Sequence, residues 1–296
     1  MMSGAPTDPS PVYAPEIDLD APVERKLQHL CAGLRSMGRV VVAYSGGVDS
    51  TFLAKIAHQT LGDSALAVTA VSPSLAVSER ADAARFAADI GIPHTFMETR
   101  ELDNPAYRRN DQFRCFHCKA ELFDRLQEFA AQRGIHHLIY GPVVDDMGDF
   151  RPGMEASRRR GARAPLIEAG LRKSEVRRLS QDMGLKSWNK PAIACLASRL
   201  AYGTEVTVDK LRQVDAAEDL LRAEGFQELR VRHHDGIARI EVPVRAIGRL
   251  IEDDARRTRI VEGLKALGFT YVTLDLQGFR SGSMNEALPV VQPPES

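Results

Sequence analysis

A disulfide scaffold is the first architecture this sequence excludes. Its 296 residues carry four cysteines, too few to staple a chain of that length, so their spacing is read for metal or redox chemistry instead. A surplus of charge of one sign is also missing: 39 basic and 40 acidic side chains leave a net charge of -1, and no global field points to nucleic acid or to a membrane surface. No apolar run approaches the length of a membrane span, and MMSGAPTDPSPVYAPEIDLDAP has neither the basic start nor the apolar centre of a secretory signal. A cytoplasmic protein is therefore expected. There is no internal repeat, and a composition of 44% hydrophobic and 27% charged residues is that of a globular protein long enough for two cores.

What is present is an alternation of short apolar runs with segments of helical period. Residues 40–44, VVVAY, read as a buried parallel strand. Phe52, Leu53, Ile56, Ala57 and Leu61 then recur at helical spacing up to Gly62. The pattern continues with a strand over 65–71, a helix over 78–90 capped by Ser78, and a strand over 94–99. Next come a helix carrying Leu122, Phe123, Leu126, Phe129 and Ala130 that stops at Gly134, a strand over 137–140, and a helix over 174–183 burying Val176, Leu179 and Met183. Strands separated by helices predict an α/β fold: a doubly wound parallel sheet, with ligands beyond the carboxyl ends of its strands.

From about Thr204 the rhythm changes. A helix over 207–224 precedes alternating runs over 229–233 and 237–242, joined through Asp235-Gly236, a favourable hairpin turn. A helix over 245–267 and a strand over 271–276 complete a smaller α+β unit. The expected division is an N-terminal extension over 1–22, an α/β domain with the cysteine site over 23–203, an α+β domain for substrate or assembly over 204–288, and a tail over 289–296.

Ser45-Gly46-Gly47-Val48-Asp49-Ser50 lies where the first strand meets a helix. Consecutive backbone N–H groups that converge on one anion need residues tolerant of unusual dihedrals, and the helix adds its positive end. Ser45 and Ser50 offer further donors, and Asp49 a carboxylate for Mg²⁺. No Gly-Lys-Ser/Thr follows and the spacing is not GxGxxG, so this is neither a Walker A loop nor a dinucleotide fingerprint.

Cys115-Phe116-His117-Cys118 is a C-x-x-C at the start of a helix, and Cys195 stands in WNKPAIACLASRL. Three thiolates suit zinc with an open position or a [4Fe-4S] cluster with one iron unligated by protein; His117 as a fourth ligand would close a structural zinc site; half-buried thiols with no ligand are the plain alternative. Cys31, among Leu27, Leu30 and Leu34, reads as a small core residue.

SGGVDS resembles the PP-loop of the ATP pyrophosphatases, the adenine nucleotide α-hydrolase-like fold. The runs GPVVDDMGDFRPGMEASRRRGARAPLIEAGLRKSEVRRLSQDMGL, SWNKPAIACLASRLAYGT, LRVRHHDGIARIEV and GSMNEAL resemble the LarE family, which supplies sulfur to the pincer nucleotide that holds nickel in lactate racemase. The resemblance implies ATP as substrate with Mg²⁺, adenylation of a carboxylate of pyridinium-3,5-biscarboxylic acid mononucleotide, and displacement of AMP by sulfur. Some family members sacrifice the sulfur of a cysteine matching Cys195. Others hold a [4Fe-4S] cluster, and Cys115 and Cys118 place this sequence with them, making Cys115, Cys118 and Cys195 cluster ligands and, with Asp49, catalytic groups.

Ser198, Glu218, Arg230 and Arg232 are substrate-site candidates by the same resemblance, and Arg199 by its place just after Cys195; Arg230 and Arg232 also share one strand face, as two residues apart must. Solvated surface charge is the plain alternative for these. Arg158-Arg159-Arg160 reads as an exposed helix face. The family implies a homo-oligomer, a hexamer in known members. One departure stands out: in GPVVDD, where the family more often shows GTNADD, Pro142-Val143-Val144 precede Asp145, Asp146 and Arg151. A cluster-dependent tRNA thiolase is the competing enzyme, disfavoured by the absent basic surplus, and a nucleotide-binding sensor with structural zinc is the competing non-enzyme.

Overall fold

The structure, a computed structural model, describes residues 18–148, 152–191 and 194–280. Arg151, most of the N-terminal extension, GSMNEAL and the tail lie outside the described residues. In chain order the first unit runs α1 (Val23–Met37), β1 (Val40–Ala43), α2 (Val48–Leu61), β2 (Ala65–Val71), α3 (Val77–Ile90), β3 (His94–Glu98), α4 (Pro105–Arg108), α5 (Arg114–Ala131), β4 (His137–Ile139), α6 (Pro152–Arg159), α7 (Pro165–Glu168) and α8 (Lys173–Asp182). There follow α9 (Val208–Ala223), β5 (Arg230–His234), β6 (Ile237–Glu241), α10 (Ile247–Ile251), α11 (Asp254–Ala266) and β7 (Tyr271–Leu274).

β1 to β4 form a parallel sheet in the order β3-β2-β1-β4. Side chains alternate between its faces. Val40, Val42 and Tyr44 enter a core with Leu34 of α1, Phe52 and Leu53 of α2, Ala87 of α3 and Val176 of α8. Val41 and Val68 point the other way, into a core with Phe123 and Leu126 of α5 and Ile167 of α7. Both faces are covered, which is why β1 reads as an unbroken apolar run rather than an alternating one. Each fully buried Leu or Phe in these layers contributes about 1.5–3 kcal/mol. Strand order reverses between β1 and β4, so the 45–50 loop leaves β1 at the switch point where such sheets bind ligands.

The second sheet is mixed. β5 and β6 pair antiparallel, and β7 adds to β6 in parallel. Asp235 (φ 40°) and Gly236 (φ 97°) are both left-handed at the hairpin turn, the backbone twist that two-residue hairpins favour. Leu221 of α9 and Ile260 and Leu264 of α11 pack with Val231 and Ile240 over this sheet.

Three local expectations are corrected. Ser78 does not cap α3; the helix begins at Val77, whose N–H donates to Asp215 Oδ2 at 3.2 Å, so the cap comes from α9 across space. The helix expected over 245–267 is broken, because Asp253 accepts from Arg256 N–H at 2.9 Å and starts α11 afresh. Met183 is 37% exposed rather than buried, since α8 ends at Asp182 and Met183 only closes it.

Two glycines separate conformational need from close approach. Gly46 has φ +71°, and a Cβ there would stand 2.9 Å from Ala83 Cα of α3, whereas Gly62 has φ +57° with open space around it. Gly62→Ala is expected to cost about 1–2 kcal/mol from the left-handed backbone alone. Gly46→Ala must cost more, because α3 also has to move; urea denaturation of the two variants checks the order.

Candidate functional site

The glycine loop is closed upon itself. Ser45 and Ser50 hydroxyls lie 3.1 Å apart, Ser45 N–H donates to Ser50 Oγ at 3.3 Å, and Ser50 Oγ donates to the Gly47 carbonyl at 3.2 Å. Gly47 caps α2 from extended backbone, and the 14-residue helix beyond it directs its positive end at the loop. Gly141, past β4, permits close approach from behind: a Cβ there would meet Ser50 N at 3.1 Å.

Asp49, in the first turn of α2, accepts a hydrogen bond from Lys173 Nζ through Oδ2. Its Oδ1 is buried with no partner among the described residues. Burial pushes the Asp49 carboxyl above its ordinary range against the pull of Lys173, with Asp146 adding to the rise. Lys173 is placed by its surroundings. Its backbone N–H donates to Asp145 Oδ2 at 2.8 Å, and Glu175, one turn on, accepts from Arg172 N–H at 2.8 Å and pairs with buried Lys26 of α1 at 2.9 Å. Sequence reading looked for a lysine only behind the loop; the structure brings one from 124 residues away.

The cysteines lie beyond the ends of the neighbouring strands. Leu196 N–H donates to the Ser74 carbonyl at 2.9 Å, just past β2, and Ser74 Oγ bonds the Tyr107 hydroxyl at 2.7 Å. Cys118 and Cys195 pack against one apolar cluster with Tyr107, Leu196 and Ala197, while Cys115 is exposed. Cys118 is only half-buried by surface but closely surrounded by protein. Burial, then Cys195, and to a smaller degree Glu101 and Cys115, push its thiol up to about 12. The three thiols therefore share one electrostatic neighbourhood, although among the described residues no three His, Cys, Asp or Glu side chains stand close enough to hold a single metal ion. His117 turns instead into a cleft of about 440 Å³ with Phe113, Phe116 and Arg159.

Buried guanidiniums collect the carbonyls around Cys195. Arg199 donates through Nη1 to the Ala194 carbonyl and, at 2.9 Å, to that of Cys195; Arg114 donates to Ala197 O at 2.9 Å; Arg232 donates to Ser198 O at 3.1 Å. Each of the three arginines is at most 6% exposed. Ser198 Oγ closes the turn by donating to Cys195 O at 2.7 Å. Glu218 of α9, fully buried, grips Arg199 with both oxygens at 2.9 and 3.2 Å and also meets Arg222 at 2.9 Å. Burial would raise its carboxyl, but Arg199 holds it below the ordinary glutamate range. Glu241 pairs with Arg232 at 2.8 Å. Arg230 is half-buried, and its guanidinium falls to about 10, through burial first and then the neighbouring Arg199. Two buried carboxylates, Glu218 and Glu241, thus offset the guanidiniums gathered here.

The structure thus places Ser198, Arg199 and Arg232 on the Cys195 segment, with Glu218 behind Arg199 and Arg230 in the same charged neighbourhood, and the solvated reading of Glu218 does not hold. Arg158 and Arg159 pair with Glu155 at 2.9 and 2.7 Å, and Arg160 with Asp124 at 2.6 Å, on an outer face. Sequence reading missed Lys173, Arg114, Tyr107 and Glu241. Arg114 adjoins the C-x-x-C, but nothing local shows that its charge is buried; burial would lower its pKa, yet Cys195, Cys115 and Tyr107 hold it above the ordinary value.

Fold and site together define an α/β protein with a glycine-rich turn after the first strand of a parallel sheet and with Cys118 and Cys195 packed against one apolar cluster. No family model matches the chain. It is 46% identical over 266 residues to an uncharacterized protein of Synechocystis, covering 90% of this chain and 99% of that one. It is 40% identical over 273 residues to the pyridinium-3,5-bisthiocarboxylic acid mononucleotide synthase of Lactiplantibacillus plantarum, covering 92% and 98%. An uncharacterized protein of Methanocaldococcus jannaschii is 22% identical over 248 residues. The chain belongs to the family of pyridinium-3,5-bisthiocarboxylic acid mononucleotide synthases, the LarE family.

Removing one partner of a buried ion pair leaves an uncompensated charge, so Glu218→Gln is expected to destabilise the protein by about 3 kcal/mol or more. The carboxyl is held below its ordinary range when folded, so its contribution is present above the unfolded glutamate pKa and disappears as pH falls through the folded value. Urea denaturation at a series of pH values checks both effects: the deficit of Glu218→Gln must shrink in acid.

Proposed function

We propose that this chain uses ATP to adenylate a carboxylate of pyridinium-3,5-biscarboxylic acid mononucleotide and converts it to a thiocarboxylate, with sulfur delivered from a [4Fe-4S] cluster at Cys115, Cys118 and Cys195. The observation that supports the reading is a Cys195 segment packed with Cys118 and fixed by buried arginines, with Cys115 one turn before Cys118 on α5. The name of the L. plantarum relative supplies the substrate class.

The 45–50 loop and the positive end of α2 cradle the pyrophosphate of ATP. Mg²⁺ fits Asp49, whose Oδ1 is buried and unpartnered, and Lys173 adds positive charge at the same edge of the loop. The substrate carboxylate oxygen attacks the α-phosphorus and pyrophosphate leaves, turning a poor leaving oxygen into a good one. Sulfur then bonds to the acyl carbon and AMP departs with the electron pair of the carbon–oxygen bond. Arg230 and Arg232 hold the phosphate of the mononucleotide.

The donor set would suit a cluster rather than a single ion: it is all sulfur, and Cys118 lies within electrostatic reach of both Cys195 and Cys115. When bound, the cluster supplies a replaceable sulfide at the iron the protein leaves unligated. The cysteines hold it, and the buried arginines hold the Cys195 segment still. Homo-oligomeric assembly, a hexamer by family precedent, belongs to the same proposal, as does a division near 203–204 between nucleotide and substrate units. The donor that replenishes sulfur is left unassigned. A nucleic-acid substrate is disfavoured by a net charge of -1.

Anaerobic reconstitution with iron and sulfide is expected to give brown protein that releases pyrophosphate from ATP only with the pyridinium dicarboxylate present, and Cys115→Ala, Cys118→Ala or Cys195→Ala should bleach it. Colourless protein that remains active through Cys195 alone would overturn the cluster assignment.

A further inference from the structure

Among the buried charges around the thiols, one lacks a carboxylate. Arg199 has Glu218 and Arg232 has Glu241. Arg114, the first residue of α5, is 5% exposed and has no carboxylate partner among the described residues. Its Nη1 donates to the Ala197 carbonyl at 2.9 Å and to Asn110 Oδ1, and its guanidinium stands 5.8 Å from the centre of the Tyr202 ring. Its Nε is buried with no acceptor among the described residues. A buried charged donor left unmade costs upward of about 1–3 kcal/mol, and buried charges are normally paired.

The surroundings specify the missing acceptor. Arg114 adjoins Cys115 in sequence, and it bonds the carbonyl two residues past Cys195, in the segment that packs with Cys118 and Tyr107. The groups of negative charge that act on Arg114 are Cys195 first, then Cys115 and Tyr107. A guanidinium is also planar and weakly hydrated, so it suits a large, polarisable anion better than an ammonium would.

We infer that Arg114 is a positioning residue for anionic sulfur, its unpartnered Nε–H and uncompensated charge holding sulfide in the pocket of Cys115, Cys118 and Cys195. The inference rests on the cluster reading above and adds to it a protein donor for the sulfur that is transferred.

The test uses full-length protein reconstituted anaerobically as wild type, Arg114→Lys and Arg114→Gln, with iron content and circular dichroism measured first. Sodium hydrosulfide is then titrated against each reduced protein and followed by electron paramagnetic resonance. All three should carry iron. Loss of one charge-assisted hydrogen bond is expected to weaken hydrosulfide binding about tenfold in Arg114→Gln. Arg114→Lys, which keeps the charge, should lose about threefold, the worth of an ordinary hydrogen bond; it decides the question alone if the glutamine variant does not fold. Unchanged hydrosulfide affinity in the iron-loaded variants overturns this inference and leaves the cluster reading standing, as does equal weakening in both, the mark of a merely structural role. Wild type that takes up no iron overturns both.

Discussion

The position of Cys195 depends on backbone carbonyls captured by buried guanidiniums. Residues 194–199 form no long helix or ladder that would hold them. Arg199 takes Ala194 and Cys195, Arg114 takes Ala197, and Arg232 takes Ser198. These arginines come from α5, from the segment itself and from β5, so a short irregular turn is tied to both sheets. Glu218 and Glu241 offset the charge of two of them. Buried ion pairs of this kind add little net stability against apolar packing, but they fix geometry where a reacting atom must be held.

The glycine loop depends on a different constraint, close packing of backbone on backbone. Gly46 is pressed against Ala83 and Gly141 against Ser50, so α3 and the end of β4 hold the loop from two sides. α3 links this loop to the thiols: Ala83 meets Gly46, while Lys190, five residues before Cys195, pairs with Glu79 and Asp82 on the same helix, each at 2.8 Å. Family membership in the synthases follows from alignment along nearly the whole length of the named relative.

Much of the fold was legible because its signals are local. The VVVAY run, the Gly62 and Gly134 stops and the Asp235-Gly236 hairpin are each set by periodicity or dihedral preference, and the strands fall within a residue or two of expectation. What failed was set across space. Asp215 of α9 caps α3, Lys173 reaches Asp49, and Arg114 is buried by a segment more than 80 residues later. None of these leaves a local trace, because a charged residue looks the same in sequence whether solvated or buried. The break at Asp253 was visible in principle: an aspartate three residues before Arg256 is an N-cap signal that the apolar period obscured. The candidate residues around Cys195 were named by resemblance, and only the structure explains why they sit together.

The proposed cluster at Cys115, Cys118 and Cys195 predicts a catalyst that is used repeatedly, whereas a lone Cys195 giving up its own sulfur allows one turnover per chain. Anaerobic turnover with ATP, the pyridinium dicarboxylate mononucleotide and added sulfide, followed by counting thiolated product per polypeptide and weighing the intact protein by mass spectrometry, separates the two directly. The account predicts many products per chain with the protein mass unchanged. Product that stops at one per chain, with Cys195 converted to dehydroalanine, would contradict it.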